Sequence, residues 1–166
     1  RKSRVDTVGD SMDEHHVAQP AAGHGTAPIE HELDVAVSRA RAWDAYVHGM
    51  TDWWHAGWTT SGSGLDHIEV DPHVGGRIVE RNRDGREREW GTVTDAVPGE
   101  RFEHTFHLFH EGDHTTVTVE FADLPHGGTH VRFSHHGWNE SNAGDRAGHL
   151  DWAALLQRYK SYAQHI

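Results

Sequence analysis

The sequence predicts an α+β chain: one strongly curved antiparallel β-sheet of about seven strands, in the order β-α-α-β6-α, wrapped around a long C-terminal helix. Two observations carry that expectation. From Gly148 to Ile166, Trp152, Leu155, Leu156, Tyr159, Tyr162, Ala163 and Ile166 recur at helical spacing, which places them on one face of an amphipathic helix. Asp151, Gln157, Arg158, Lys160, Ser161 and Gln164 fall mostly on the other side. The stretch before it, His67 to His136, runs at period two and is cut by turn signals. A lone helix burying two Tyr and a Trp needs a concave partner, and a curved sheet gripping it leaves few open edges.

The elements follow in order. Ile29 to Val37 alternates, with Ile29, Leu33, Val35 and Val37 on one side, and reads as the first strand. Ser38 caps a helix that carries Ala42, Trp43, Tyr46, Val47 and Met50. Thr51 caps a second short turn holding Trp53 and Trp54, and a Gly/Ser loop spans Ser61 to Gly64. Strands are expected over His67–Val70, Arg77–Asn82, Glu87–Val97, Arg101–His110, Thr115–Phe121 and Thr129–His136. Asp84-Gly85 marks a hairpin, and Pro98-Gly99 suits a type II turn. Asn139 to Gly144 links the last strand to the helix. Gly75-Gly76 lacks the Lys-Ser/Thr of a phosphate loop and reads as a bulge or strand bend.

A length of 166 residues suggests one domain. Residues 1–28 are polar and without periodicity and read as a disordered tail or cloning remnant, with residues 29–166 as the domain. Hydrophobic content is only 35 %, partly because 18 Gly and 18 His take up positions. No apolar run approaches the length of a membrane span, and no apolar h-region follows the basic start, so no secretory signal is expected. The 166 residues contain no cysteine, which removes disulfides, thiolate metal sites and cysteine nucleophiles together. A cytoplasmic protein is the default expectation. The formal charge is −11, of which −10 belongs to the body after residue 28. Such an acidic body, without a cluster of Lys and Arg, disfavours nucleic acid and anionic membrane as partners.

Val70-Asp71-Pro72-His73-Val74-Gly75-Gly76-Arg77, then Glu80, Asp84-Gly85, Trp90-Gly91-Thr92-Val93, Pro98 and Ser134-His135-His136-Gly137-Trp138 resemble the SRPBCC (START-like, Bet v 1-like) superfamily. Within it, the chain is most similar to the domain family named after the activator of the Hsp90 ATPase. The resemblance covers about Ile29 to Ala163, and its motifs are specific as a set. It implies a helix-grip fold and a cavity between sheet and terminal helix that often holds an apolar or amphipathic molecule. It does not settle chemistry, because fold alone does not imply function. The chain departs from the family pattern in its N-terminal tail and in the density of His along Arg101–His110.

Strand parity selects the inward residues. Ile78 and Glu80 share a face, as do Phe102, His104, Phe106 and Leu108, and as do Val131, Phe133 and His135. Trp90 is ambiguous, because Trp90, Thr92 and Ala96 compete with Val93 and Val97. The expected ligand-binding set is Trp54, Ile78, Glu80, Trp90, His104, Phe106, Phe133, His135, Trp152, Leu155, Leu156 and Tyr159. Glu80, His104 and His135 are the candidate acid–base groups, since a desolvated carboxylate beside imidazoles can move protons. Each also has a plainer reading: Glu80 paired with an Arg or a backbone donor, and the two histidines satisfied in the core or at its rim. Trp53, Trp54 and Trp58 read as a cavity wall, core packing or an exposed partner patch. No metal is expected, because the three titratable groups sit on separate strands without a short ligand motif; no cofactor is expected either.

Three functions compete. The first is a binding protein for a small apolar or aromatic ligand, monomeric or homodimeric. The second is an enzyme of cyclase, hydratase or hydrolase type using Glu80 with His104 or His135. The third is a co-chaperone or stress-response module acting through a surface.

Overall fold

A first strand β1 (Ile29–Val35) leads into α1 (Arg39–His48) and α2 (Met50–Trp53) in the computed structural model, which describes residues 25–166. The tail expected for residues 1–28 lies outside the described residues as far as residue 24. Two 3-10 turns, Ala56–Trp58 and Gly62–Gly64, precede β2 (Leu65–Val70), β3 (Arg77–Asn82), β4 (Glu87–Val97), β5 (Arg101–Phe106), β6 (Thr115–Asp123) and β7 (Thr129–His136). A short α3 (Ala143–Arg146) and a 3-10 turn (Ala147–His149) then bring the chain to α4 (Trp152–His165).

The seven strands form one antiparallel sheet in the order β1-β7-β6-β5-β4-β3-β2. Consecutive strands from β2 to β7 are neighbours. Only β1 crosses, carried by α1 and α2 to the far edge, where Ile29 faces His135 and Val35 faces Thr129. The expected order of elements is therefore observed, and the fold is the helix grip. No described helix is long and apolar enough to cross a membrane.

Several boundaries move, each for a local reason. Thr51 is not a cap: Gly49 holds that position, and Thr51 lies within α2. Its hydroxyl donates to the Ile68 carbonyl at 3.0 Å and accepts from the Ile68 N–H at 2.9 Å, tying α2 to β2. Strand β5 stops at Phe106, four residues short of the expected His110. His107 makes one last bond to the Trp90 carbonyl, at 2.8 Å, and the chain then turns through Phe109 at φ 62°. The C-terminal helix begins at Trp152 because Ala147–His149 forms a 3-10 turn and Asp151 stands at the N-cap.

Two bulges explain why the parity of β4 was ambiguous. Ile78 pairs with Gly91 but Val79 pairs with Glu89, so Trp90 is the extra residue. A second shift falls between Val93 and Asp95. Each bulge inserts a residue and reverses which side chains face inward, so Trp90 and Val93 are both buried although three apart. Gly91 is required by close approach. A Cβ there would lie 1.8 Å from the Thr105 carbonyl oxygen.

Helix α4 is joined to the rest by polar as well as apolar contacts. The Tyr159 hydroxyl donates to the Ala42 carbonyl at 2.7 Å, and Arg158 Nε donates to the Trp53 carbonyl at 2.8 Å. Gln164 accepts from the Ala36 N–H at 2.9 Å. The core lies between this helix, α1 and α2 on one side and the concave face of the sheet on the other.

Candidate functional site

Glu80 is set by β3 and the loop after α2. Its carboxylate accepts from Thr60 N at 3.2 Å, Thr60 Oγ1 at 2.6 Å, Ser61 N at 2.6 Å and the Trp90 indole N–H at 2.9 Å. Burial pushes its pKa up, and that is the largest single effect. The hydrogen bonds from Ser61, Thr60 and Trp90 together outweigh it and hold the group below the usual carboxylate range. Four donors occupy this anion and tie the Thr60–Ser61 loop to β3 and β4. The donors are two main-chain N–H groups, a hydroxyl and an indole, and no Arg is among them.

His104 sits between Phe102 and Phe106, with ring centroids at 5.6 and 5.8 Å. Its Nδ1 lies 2.7 Å from the Thr105 carbonyl, which can only accept, so the ring carries its proton there. Burial pushes its pKa down to about 4, against smaller opposing effects from that hydrogen bond and from Glu103. His135 is fully buried. Its Nδ1 accepts from the Trp152 indole at 3.0 Å, and its Nε2 lies 2.6 Å from Thr115 Oγ1. Thr115 in turn donates to the Phe106 carbonyl at 3.0 Å. With Nδ1 accepting, the neutral ring must carry its proton on Nε2. Burial and then the neighbouring His149 and His110 drive its pKa far down.

The expected pairing of Glu80 with His104 or His135 is not formed. Each group has its own partners, and no hydrogen bond joins any two of them. Among the described residues, no group of three His, Asp or Glu is arranged to hold a metal ion.

The space expected between sheet and helix is filled by side chains. Trp54 meets Trp90 at 4.7 Å and Trp152 at 5.4 Å; Trp152 meets Phe133 at 4.4 Å; Trp53 meets Tyr159 at 5.6 Å. Ile78, Glu80, Trp90, His104, Phe133, His135, Leu156 and Tyr159 belong to this packed interior. The hollow that remains is at its mouth, with a volume of about 70 Å³. Of the expected ligand-binding set, Trp54, Phe106, Trp152 and Leu155 line it. Trp58, Leu108, Phe109, His149 and Asp151 line it as well.

Those five were not in the expected site. Trp58 was visible as a possible cavity wall. Leu108 was read as inward-facing but not as part of the site; Phe109 was hidden in a strand that ends early, and His149 and Asp151 in a helix that starts late. A cavity of about 150 Å³ holds one benzene, roughly 25 Å³ per heavy atom, so a hollow of about 70 Å³ takes about three heavy atoms.

The polar groups around the mouth are engaged elsewhere. The Trp54 indole N–H donates to the Trp58 carbonyl at 3.2 Å, and the Trp152 indole to His135. The His149 ring nitrogens face the Asp145 and Leu108 carbonyls at 2.9 and 3.0 Å. Asp151, at the N-cap of α4, makes no side-chain capping bond.

The fold and its aromatic interior define a helix-grip domain of the SRPBCC type. Residues 36–164 match the model of the family described as "Activator of Hsp90 ATPase homolog 1-like protein", and the chain belongs to that family. Solved structures show the same fold at low identity. Protein MLL2253 from Mesorhizobium loti is 17 % identical, with a TM-score of 0.63 over 82 % of this chain and 96 % of that one. A Rhodobacter sphaeroides protein is 23 % identical, with a TM-score of 0.62 over 84 % and 91 %. The Aha1 dimer from Colwellia psychrerythraea is 19 % identical, with a TM-score of 0.61 over 84 % and 97 %. No curated protein matches the chain.

Proposed function

We propose that the protein is a binding module for one small apolar group, seated in the mouth pocket between Trp54, Trp58, Phe109, Trp152 and Leu155. The observation that carries this reading is the contrast between a filled interior and an apolar hollow of about 70 Å³ at its edge. Pockets of this character hold ligands by shape and apolar contact, with few polar groups fixing orientation. A hollow of that volume favours a short branched or small cyclic group over a lipid tail or polyketide.

Titration with alcohols of increasing size, followed by the indole NMR signals of Trp54, Trp58 and Trp152, tests the reading. Saturable shifts with short branched alcohols, and no gain in affinity with longer chains, are expected. An absence of saturable shifts for every alcohol would end it.

A second reading rests on the same face. Phe109 is 51 % exposed and Leu150, between pocket residues His149 and Asp151, is 49 % exposed. Exposed apolar groups beside a pocket suit a partner protein. The family description, which refers to an ATPase activator, and the dimeric Colwellia neighbour both support this alternative. Sedimentation of wild type and Phe109→Asp distinguishes self-association through this rim from a monomer.

A further inference from the structure

We infer that His149 is a proton-operated latch on the mouth pocket: as the imidazolium it ties two walls of the hollow together, and as the neutral ring it releases one of them. This rests on the apolar-pocket reading and adds the regulation of that site. One wall comes from the loop after β5, with Leu108 and Phe109, and another from the turn before α4, with Gly148, His149 and Asp151. His149 joins the two. Its Nδ1 lies 2.9 Å from the Asp145 carbonyl, one turn back in its own segment, and its Nε2 lies 3.0 Å from the Leu108 carbonyl across the loop. A carbonyl oxygen only accepts, and a neutral imidazole has a single N–H. Two such contacts need both ring nitrogens protonated, which is the charged form.

Loss of that proton sets two lone pairs facing each other at one of the contacts. The Asp145 contact lies within one continuous run of turns, whereas the Leu108 contact joins separate segments. The neutral ring therefore keeps its N–H for Asp145, and the bridge to Leu108 opens. The release is local. Farther along the loop, the Glu111 and Gly112 N–H groups donate to the Asp145 carboxylate at 3.2 and 3.0 Å, and the Asp113 N–H donates to the Ser141 hydroxyl at 3.0 Å. None of these bonds involves His149. Phe109, by contrast, is held at φ 62°, a left-handed conformation that is unfavourable for a residue with a side chain. Freeing the Leu108 carbonyl lets this stretch relax and takes Leu108 and Phe109 out of register with the opposite wall.

The neighbours leave His149 as the ring that carries the charge. His110 of the loop and His135 of β7 have ring centroids 4.7 and 5.3 Å from it, with Phe106 of β5 at 5.8 Å and Trp138 after β7 at 5.7 Å. Burial, and after it His149, push His110 down to about 4 and His135 further still, so both stay neutral around the cation. The charged residues of the adjoining segments are Asp145, Arg146 and Asp151 on its own side and Glu111 and Asp113 on the loop. Carboxylates outnumber the single guanidinium, a balance that favours a positive ring.

The test follows the isotope-labelled full chain by NMR from pH 5 to pH 8, the range in which imidazoles change charge, with propan-2-ol as the pocket probe. At pH 5 both ring nitrogens of His149 are expected to carry protons, and the Leu108 carbonyl signal should shift in step as one is lost. Propan-2-ol should bind about tenfold more weakly to the neutral form, the effect of one hydrogen bond lost from the closed pocket. His149→Gln, which can donate but cannot be charged, should bind at the weaker level throughout. A His149 ring that is neutral at pH 5 or still charged at pH 8 overturns the inference, and so does a His149→Gln protein that keeps the wild-type pH dependence. Equal binding to wild type at both ends of the range, while the ring changes charge, overturns the latch and leaves the apolar-pocket reading standing. Absence of binding at every pH ends the apolar-pocket reading and, with it, the control of that site, even where the Leu108 signal still moves with the ring's charge.

Discussion

The indole of Trp152 donates to Nδ1 of His135 at 3.0 Å, joining the first residue of the C-terminal helix to the last strand of the sheet. The bond decides the tautomer of His135 and continues through Thr115 to the Phe106 carbonyl. Aromatic rings and this polar chain together close the sheet on the helix.

Trp152→Phe keeps most of the apolar contact but leaves Nδ1 of a buried imidazole without its donor. Loss of such a partner costs about 1–3 kcal/mol, and urea unfolding of the variant should show that decrease. In the wild type, nitrogen-correlated NMR should find His135 neutral with its proton on Nε2 from pH 5 to 8. A proton on Nδ1 would contradict the geometry.

Buried neutral histidines also make stability depend on pH. Burial pushes His104 and His110 down to about 4, and His135 further still. The unfolded chain takes up these protons near pH 6.5, before the folded chain does. Stability should therefore fall as pH drops below 6.5. His104 alone accounts for about 3 kcal/mol by pH 4, at roughly 1.4 kcal/mol per pH unit. His130 acts in the opposite sense. Asp34 and Glu32 raise its pKa, so its smaller, solvent-screened contribution is complete below pH 6.5 and is lost as pH rises through the raised value. A denaturation midpoint that stays level between pH 7 and pH 5 would count against the buried neutral state.

Most of the fold was legible because periodicity reports burial directly. Phe102, His104 and Phe106, and likewise Val131, Phe133 and His135, fall on the inner face as their alternation requires. The mouth pocket was legible only in part: Trp54, Phe106, Trp152 and Leu155 were in the expected set, but the rest of its lining is built where periodicity stops. Phe109 enters it through a left-handed residue after β5 has ended, and His149 and Asp151 enter through the irregular turn before α4. The filling of the interior was equally hidden. Spacing places Trp54, Trp90 and Trp152 on inner faces but does not say that their rings will meet one another across the space.

Glu80 gives a test that separates an anchor from a proton carrier. Glu80→Gln puts an amide N–H₂ among four groups that all donate, so at least one contact must turn repulsive or break. A loss of about 2 kcal/mol is expected, with increased amide exchange at Thr60 and Ser61, the two main-chain donors. Below pH 4.5 the wild type should lose the same support as the carboxylate protonates, since its folded pKa lies below the ordinary value. If Gln is tolerated without loss, the carboxylate is not what holds this loop.

Leu155 and Leu156 are neighbours on α4 with different roles. Leu156 is 2 % exposed and faces the packed interior, whereas Leu155, at 4 %, also lines the mouth pocket. Leu156→Ala opens a cavity among atoms that are held on every side and should cost about 3–4 kcal/mol. Leu155→Ala extends a hollow that already exists, so fewer contacts are lost and the cost should be nearer 2 kcal/mol. The two variants should also diverge in binding. Leu155→Ala enlarges the pocket and should shift preference towards bulkier alcohols, while Leu156→Ala should leave the order of preference unchanged. Equal stability losses together with unchanged selectivity in both would make this helix face purely core and remove it from the binding site.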